Sequence, residues 1–257
     1  MPPSGPFSGD RPIALVTGCA KRVGRATSLA LARSGCDILG TFHSSANEAD
    51  SLAGEIRELG GAFDAHQLAL DDPAAVGRWA SDLCQRLPRL DVLIHNASIY
   101  EPTPLDEVDT AAARRFFDVN AASPLLLSAA CAPMLGQSQM PGGGSIVAMS
   151  DIHAIGRPRR THIAYAMSKA ALTEMVRTLA IDLAPAVRVN AVAPGVVAFP
   201  ESGYESDEAM QQRYLSRVPL GRAGTVDEAA EAVRWLALEA TYTTGQILRV
   251  DGGRWLT

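Results

Sequence analysis

Short apolar runs ending in Gly, Asn or Ser alternate along the chain with amphipathic stretches of helical length. That alternation is the mark of repeated βαβ units, whose strands are buried on both faces and so read as continuous hydrophobic segments. Strands are predicted near 13–16, 37–42, 62–67, 92–95, 144–149, 187–192 and 247–250, and each of the first six precedes a segment able to form a helix. The predicted fold class is α/β: a single-domain Rossmann fold with a doubly wound, seven-stranded parallel sheet and helices on both faces. The Gly-rich break at 141–144 reads as a turn into a buried strand, because periodic structure resumes at once.

Two stretches depart from this pattern. Residues 1–12 hold four prolines and no apolar signal-like core, which predicts a flexible tail over 1–10 ahead of a dinucleotide-binding domain over 11–257. The polar stretch 196–222, with Pro200, Ser202 and Gly203, follows a strand end without a clear strand of its own. Long excursions at the carboxyl ends of parallel strands usually serve ligands, so it is read as a substrate lid, with an ordinary surface insertion as the alternative.

Composition narrows the partners. The 257 residues are 47% hydrophobic and 20% charged, with a net charge of -5. That is enough apolar material for a large core, and no Lys/Arg run suggests a nucleic-acid or membrane surface. A small-molecule partner is expected. Cys19, Cys36, Cys84 and Cys131 form no C-x-x-C pair, so neither a zinc site nor a disulfide framework is indicated. With no stretch apolar enough to span a bilayer, a cytoplasmic location is the simplest expectation.

Thr17-Gly18-Cys19-Ala20-Lys21-Arg22-Val23-Gly24 lies between the first strand and a helix. Gly18 permits the tight turn, Gly24 lets helix pack on sheet, and the helix N-terminus offers free N–H groups to a pyrophosphate. The middle position, often a third glycine, is Arg22. The second strand ends Thr41-Phe42-His43-Ser44-Ser45, without the Asp or Glu that holds a free ribose 2'-hydroxyl. Arg22, His43, Ser44 and Ser45 suit a 2'-phosphate, so NADPH/NADP is the expected cofactor. On the alternative reading His43 and the serines are solvated turn residues and Arg22 acts alone.

Tyr165 and Lys169 are four residues apart on an amphipathic helix and share one face. A neighbouring ammonium is expected to lower the phenol's pKa, letting Tyr165 act as proton donor while hydride arrives from a nicotinamide.

Thr17 to Gly24, His95-Asn96-Ala97, Asn120, the Tyr165/Lys169 pair, Pro194-Gly195 and Val250-Asp251-Gly252-Gly253 occur in that order. The set resembles the short-chain dehydrogenase/reductase family from about Arg11 onward. The resemblance implies that Asn120 anchors a water in a proton relay with Lys169, and that Lys169 also binds the nicotinamide ribose. It implies that Asn96 and Ala97 line the cofactor, that Leu70 flanks the adenine, and that Pro194-Gly195 border the nicotinamide. The usual Thr after that pair is absent from Val196-Val197-Ala198-Phe199, so contacts near Val197 fall to the backbone. A homotetramer is also implied.

The family's catalytic serine is normally the second residue of a Ser-Ser pair, and here the two positions are Ser150 and Asp151. The acid resembles the pteridine reductase and dihydromonapterin reductase branch. So do the Lys21-Arg22-Val23-Gly24 turn, His43 with Ser45, and the stretch from His95 through Ser98 to Tyr100. On that reading Tyr100 stacks on a pterin, Ser98 contacts it, and Asp151 beside Tyr165 relays a proton to a ring nitrogen during C=N reduction. The alternative is a carbonyl reductase acting on a 3-oxoacyl, sugar or small ketone substrate, with Ser150 as oxyanion donor. Asp151 would then cap its loop or pair with Arg157, Arg159 or Arg160.

Overall fold

A computed structural model describes residues 6–199 and 206–257 of the chain. Its elements run β1 (Ile13–Thr17), α1 (Arg22–Arg33), β2 (Asp37–Phe42), α2 (Ala46–Glu58), β3 (Phe63–Gln67), α3 (Pro73–Cys84), β4 (Val92–His95) and α4 (Thr110–Phe117). These are followed by α5 (Ser123–Leu135), β5 (Gly144–Met149), α6 (Ile163–Asp182), β6 (Val187–Pro194), α7 (Glu208–Leu215), α8 (Val226–Leu238) and β7 (Ile247–Val250). All seven strands pair in parallel in the order β3-β2-β1-β4-β5-β6-β7. The chain therefore reverses its direction of travel across the sheet between β1 and β4, which opens a crevice at their carboxyl ends.

Strand residues alternate between two cores because successive side chains leave opposite faces. Ile13 and Leu15 of β1, Ile146 and Ala148 of β5, and Val187, Val189 and Ala191 of β6 pack with α3, α5 and α6. Ala14 and Val16, Val147 and Met149, and Val192 pack on the other side with α1, α2 and α8. Burial on both faces is why these strands carry almost no polar residues. Two exceptions in β6 are satisfied, the first being Asn190, which bonds the backbone of Thr243 and Gln246. The buried Arg188 guanidinium donates to the carbonyls of Leu236, Ala237 and Ala240, neutralising the negative end of α8.

Helix starts are set by local caps. Asp72, Asp109 and Asp207 accept from the backbone of α3, α4 and α7, and Thr225 with Glu228 forms a capping box on α8. α1 starts differently, at Lys21, with no side-chain cap and no acidic residue in its first turn.

The expected strands agree with those found to within a residue or two, except that β6 runs on through Pro194. The tail does not match its expected form throughout, because Phe7 is buried in the core beside Leu83 and Leu90. The Gly9 carbonyl also accepts from Arg89. Residues 1–5 of the tail and residues 200–205 of the lid lie outside the described residues. The described part of the lid carries α7 and no strand. No described helix is long and apolar enough to cross a membrane.

A methyl group on Gly24 would sit 2.0 Å from the Gly18 carbonyl oxygen and 2.5 Å from the Asn96 amide nitrogen. Both contacts are tied to the backbone of the turn, so neither can swing aside. Gly24→Ala is expected to lower stability by about 1–3 kcal/mol and to weaken dinucleotide binding at least ~10-fold, read by chemical denaturation and by dinucleotide fluorescence titration.

Candidate active site

The crevice at the strand ends is a cleft of about 540 Å³. One end is walled by Gly18, Arg22, Val23 and Gly24 of the first turn together with His43, Ser44 and Ser45 after β2. Leu70 lies along it, and Asn96, Ala97, Ser98 and Pro194 lead to Asp151, Tyr165 and Lys169 at the other end. Residues more than a hundred positions apart in sequence thus share one trough because β1, β4 and β5 are neighbours in the sheet.

The first turn is held by side chains rather than by its own backbone. Thr17 Oγ1 accepts from the Asn96 and Ala97 N–H groups and donates to the Ile94 carbonyl. Asn96 Nδ2 donates to the carbonyls of Thr17 and Gly18. Thr17 therefore shapes the cofactor end without lining it. Gly18 has φ +64°, in the left-handed region, and a side chain there would meet Ala97 and Asn96 at 3.1 Å.

These features fit a nicotinamide dinucleotide. The uncapped N-terminus of α1 offers N–H groups to a pyrophosphate, and the two glycines leave room for it against the backbone. At the end of β2 the cleft presents His43, Ser44 and Ser45 and no carboxylate. Arg22 lies beside them with φ +48°. Its guanidinium reaches across the cleft to the Ala198 carbonyl at 2.8 Å, so in the chain alone it ties the turn to the lid.

At the chemical end, Tyr165 Oη donates to Asp151 Oδ2 at 2.7 Å. Asp151 Oδ1 accepts from the His153 N–H at 2.7 Å, starting a short 3-10 turn over Ile152–Ala154. The carboxylate therefore both caps its loop and holds the phenol. Ser150, one residue earlier, faces inward: its buried hydroxyl meets Thr173 Oγ1 at 2.6 Å. The registration left open by the sequence resolves here, with Asp151 beside the tyrosine.

Lys169 is fully buried, and its ammonium donates to the Met149 carbonyl at 2.7 Å. Burial pulls it down to about 8, against Asp151, which raises it. Tyr165 departs from the expected lowering. Burial first, and then the Asp151 carboxylate, push the phenol well above its ordinary value, and Lys169 is not among the groups that shift it. The direction reverses because burial disfavours the phenolate and the negative partner is in hydrogen-bond contact, while the ammonium is committed to Met149.

Asn120 lies on a π-helical turn, Asp118–Ala122, inserted between α4 and α5. Its Oδ1 accepts from the Ile99 N–H, and its Nδ2 donates to the Ile99 carbonyl and to Ser168 Oγ. The side chain braces α6 against the segment after β4, so its amide is committed to protein partners. The contacts of Ser168 and Met149 carried no sequence signal, since each is an ordinary polar or apolar residue given its role only by the fold.

Three other expectations change. Tyr100 does not wall the cleft: its ring stacks on His162 at 4.8 Å, meets Tyr165 edge-on at 4.8 Å, and lies 5.5 Å from the Arg159 guanidinium. Its faces are engaged by protein, so a pterin would have to displace those neighbours. Val197 packs toward Gly224, and Gly195 sits against Asp251 at the end of β7. Neither lines the cleft. His95, at the end of β4, is buried, held down to about 3 by burial, and bonded to Ser128 at 2.7 Å. It is a neutral structural residue.

Comparison with known proteins agrees with this geometry. A family model described as enoyl-(acyl carrier protein) reductase matches residues 18–254. The chain is 34% identical over 244 residues to a 3-oxoacyl-[acyl-carrier-protein] reductase of Thermotoga maritima, covering 94% of this chain and 96% of that protein. It is 33% identical over 246 residues to the cis-4-hydroxycyclohexanecarboxylate dehydrogenase of Sinomonas cyclohexanicum, covering 94% and 95%. The crystal structure of acetoin dehydrogenase from Enterobacter cloacae superposes with a TM-score of 0.85 at 32% identity, covering 97% of each chain. These relatives are named for oxoacyl, acetoin and hydroxy-acid substrates. The ordered motifs, the sheet, the cleft with its Tyr165/Lys169 helix and these relatives agree, and the chain belongs to the short-chain dehydrogenase/reductase family.

Proposed function

We propose that this protein reduces a carbonyl group to a secondary alcohol, with Tyr165 giving the proton to the carbonyl oxygen. The observation that carries this is the 2.7 Å hydrogen bond from Tyr165 to Asp151 at the chemical end of the cleft. A bound nicotinamide dinucleotide would supply the hydride. Tyr165, pushed well above its ordinary value by burial and by Asp151, keeps its proton through neutral pH. That is the form needed for donation, and it favours reduction over oxidation. Asp151 orients the phenol. Lys169, held at Met149, lies along the same helix face to meet the ribose. Gly18, Gly24 and the start of α1 would hold the diphosphate, with Asn96 and Ala97 beside the nicotinamide half.

The same reading takes NADPH as the cofactor, because Arg22, His43, Ser44 and Ser45 wall the adenosine end and no carboxylate stands at the end of β2. The relatives' named substrates support an oxoacyl, hydroxy-acid or small ketone compound.

A second reading, reduction of a dihydropterin C=N bond, is favoured by one feature. The group beside Tyr165 is a carboxyl rather than a hydroxyl, and a carboxyl can relay a proton to a ring nitrogen. The engaged Tyr100 ring weighs against it.

NADPH oxidation followed by absorbance, with acetoacetyl thioesters, acetoin precursors and simple ketones beside dihydropterins, separates the two. Ketone turnover is expected, and Tyr165→Phe is expected to reduce it at least ~100-fold. Preferential pterin turnover that collapses in Asp151→Ser would transfer the assignment to the second reading. For the cofactor, Arg22→Ala is expected to lower kcat/KM for NADPH about 10-fold or more relative to NADH, the scale of one lost charge-assisted contact. An unchanged ratio would remove Arg22 from 2'-phosphate recognition.

A further inference from the structure

Two thiols that the catalytic site does not use face each other across a helix contact. Cys84 is the last residue of α3, and Cys131 lies in the second half of α5. Their sulfurs are 3.7 Å apart. Cys131 is fully buried in the core, whereas Cys84 is half-buried and in reach of solvent. We propose that Cys84 and Cys131 form an oxidative modification site, closing to a reversible disulfide that ties α3 to α5.

The geometry suits closure. A disulfide needs its sulfurs about 2.05 Å apart, so this pair must approach by about 1.7 Å. Cys84 ends its helix, where a small rotation of side chain and terminal turn meets no continuing helical backbone. The pairing also divides the roles. Contact with Cys131 lowers Cys84 below the ordinary thiol value, while contact with Cys84 and burial raise Cys131. The reactive thiolate is then the accessible one. Cys19 and Cys36 contrast with this: each is buried and pushed up to about 12 by burial.

The oxidant is a hydroperoxide. The Cys84 thiolate attacks the terminal peroxide oxygen, the O–O bond breaks, and the leaving alkoxide or hydroxide takes a proton, giving a sulfenic acid on Cys84. The Cys131 sulfur then attacks the Cys84 sulfur, the S–S bond forms, and water departs with the thiol proton. Two thiols are oxidised by two electrons in total, and one peroxide is reduced to an alcohol, or to water, plus water.

The link lies away from the chemistry. The cleft is at the carboxyl ends of the strands, and α3 runs back from that end after Leu70 and Asp71, which line it. Cys84 thus sits toward the amino ends of the strands. Oxidation is expected to stiffen the α3–α5 layer and leave turnover intact.

The test treats the full-length protein, freed of reductant, with hydrogen peroxide, and follows it by intact mass, non-reducing peptide mapping and thermal unfolding. The expected result is a loss of two hydrogens per chain and a single Cys84–Cys131 linked peptide that dithiothreitol cleaves. The unfolding midpoint should rise by several degrees with basal NADPH binding unchanged. Cys84→Ser, at the half-exposed position, should keep its fold and its NADPH binding and lose both the link and the shift. Peroxide treatment that leaves both thiols open to alkylation, or carries Cys84 on to sulfinic acid without linkage, would overturn the proposal.

Discussion

The cleft depends on one side chain, Asn96, placed where β4 ends beside β1. Its amide nitrogen holds the carbonyls of Thr17 and Gly18 at 2.9 and 3.0 Å, while its backbone N–H and that of Ala97 are taken by Thr17 Oγ1. These bonds fix the phosphate turn against the next strand in the sheet and set the width of the crevice at the reversal point. They also explain why Gly24 tolerates nothing larger, since its missing side chain is the space that the Gly18 carbonyl and the Asn96 amide occupy. The uncapped start of α1 is then held facing the cleft.

The electrostatics at the other end follow from burial combined with commitment. Lys169 has lost its water and is held by Met149, which brings it down to about 8. Tyr165 has lost its water and faces a carboxylate, which moves it the opposite way, toward keeping its proton. A phenol that keeps its proton can donate it, and burial first and the carboxylate at residue 151 second both act in that direction. A hydroxyl at that position would carry no charge and would leave burial as the main influence on the phenol.

The strands and the doubly wound order were legible in the sequence because strands buried on both faces must be continuously apolar and the glycines that end them must turn. The residues that line the cleft were legible through spacing and order, from Gly18 and Gly24 through Asn96 to Tyr165 and Lys169. What the sequence left open was orientation. Whether Ser150 or Asp151 meets the tyrosine depends on a half-turn at the end of β5, and no periodicity continues through that loop. Tyr100 carried the signal of a stacking residue, but His162 and Arg159, some sixty positions later, take up its faces. The reach of Arg22 to Ala198 and the hold of Met149 on Lys169 are backbone contacts, invisible to residue type. The pteridine resemblance rested on the acid at position 151, on Tyr100 and on the shared turn, whereas the relatives matched along most of the chain are named for oxoacyl, acetoin and hydroxy-acid compounds.

The coupling between Asp151 and Tyr165 is the centre of this account, and the ionisation of Tyr165 reports it directly. The chain has five tyrosines, so the measurement is a ring-carbon NMR titration with Tyr165→Phe assigning the signal and Asp151→Asn as the comparison, folding being monitored at each pH. The account predicts that Tyr165 stays protonated past the ordinary range for tyrosine and that Asp151→Asn moves its ionisation to lower pH. A Tyr165 that ionises below that range, or one that Asp151→Asn leaves unmoved, would contradict it.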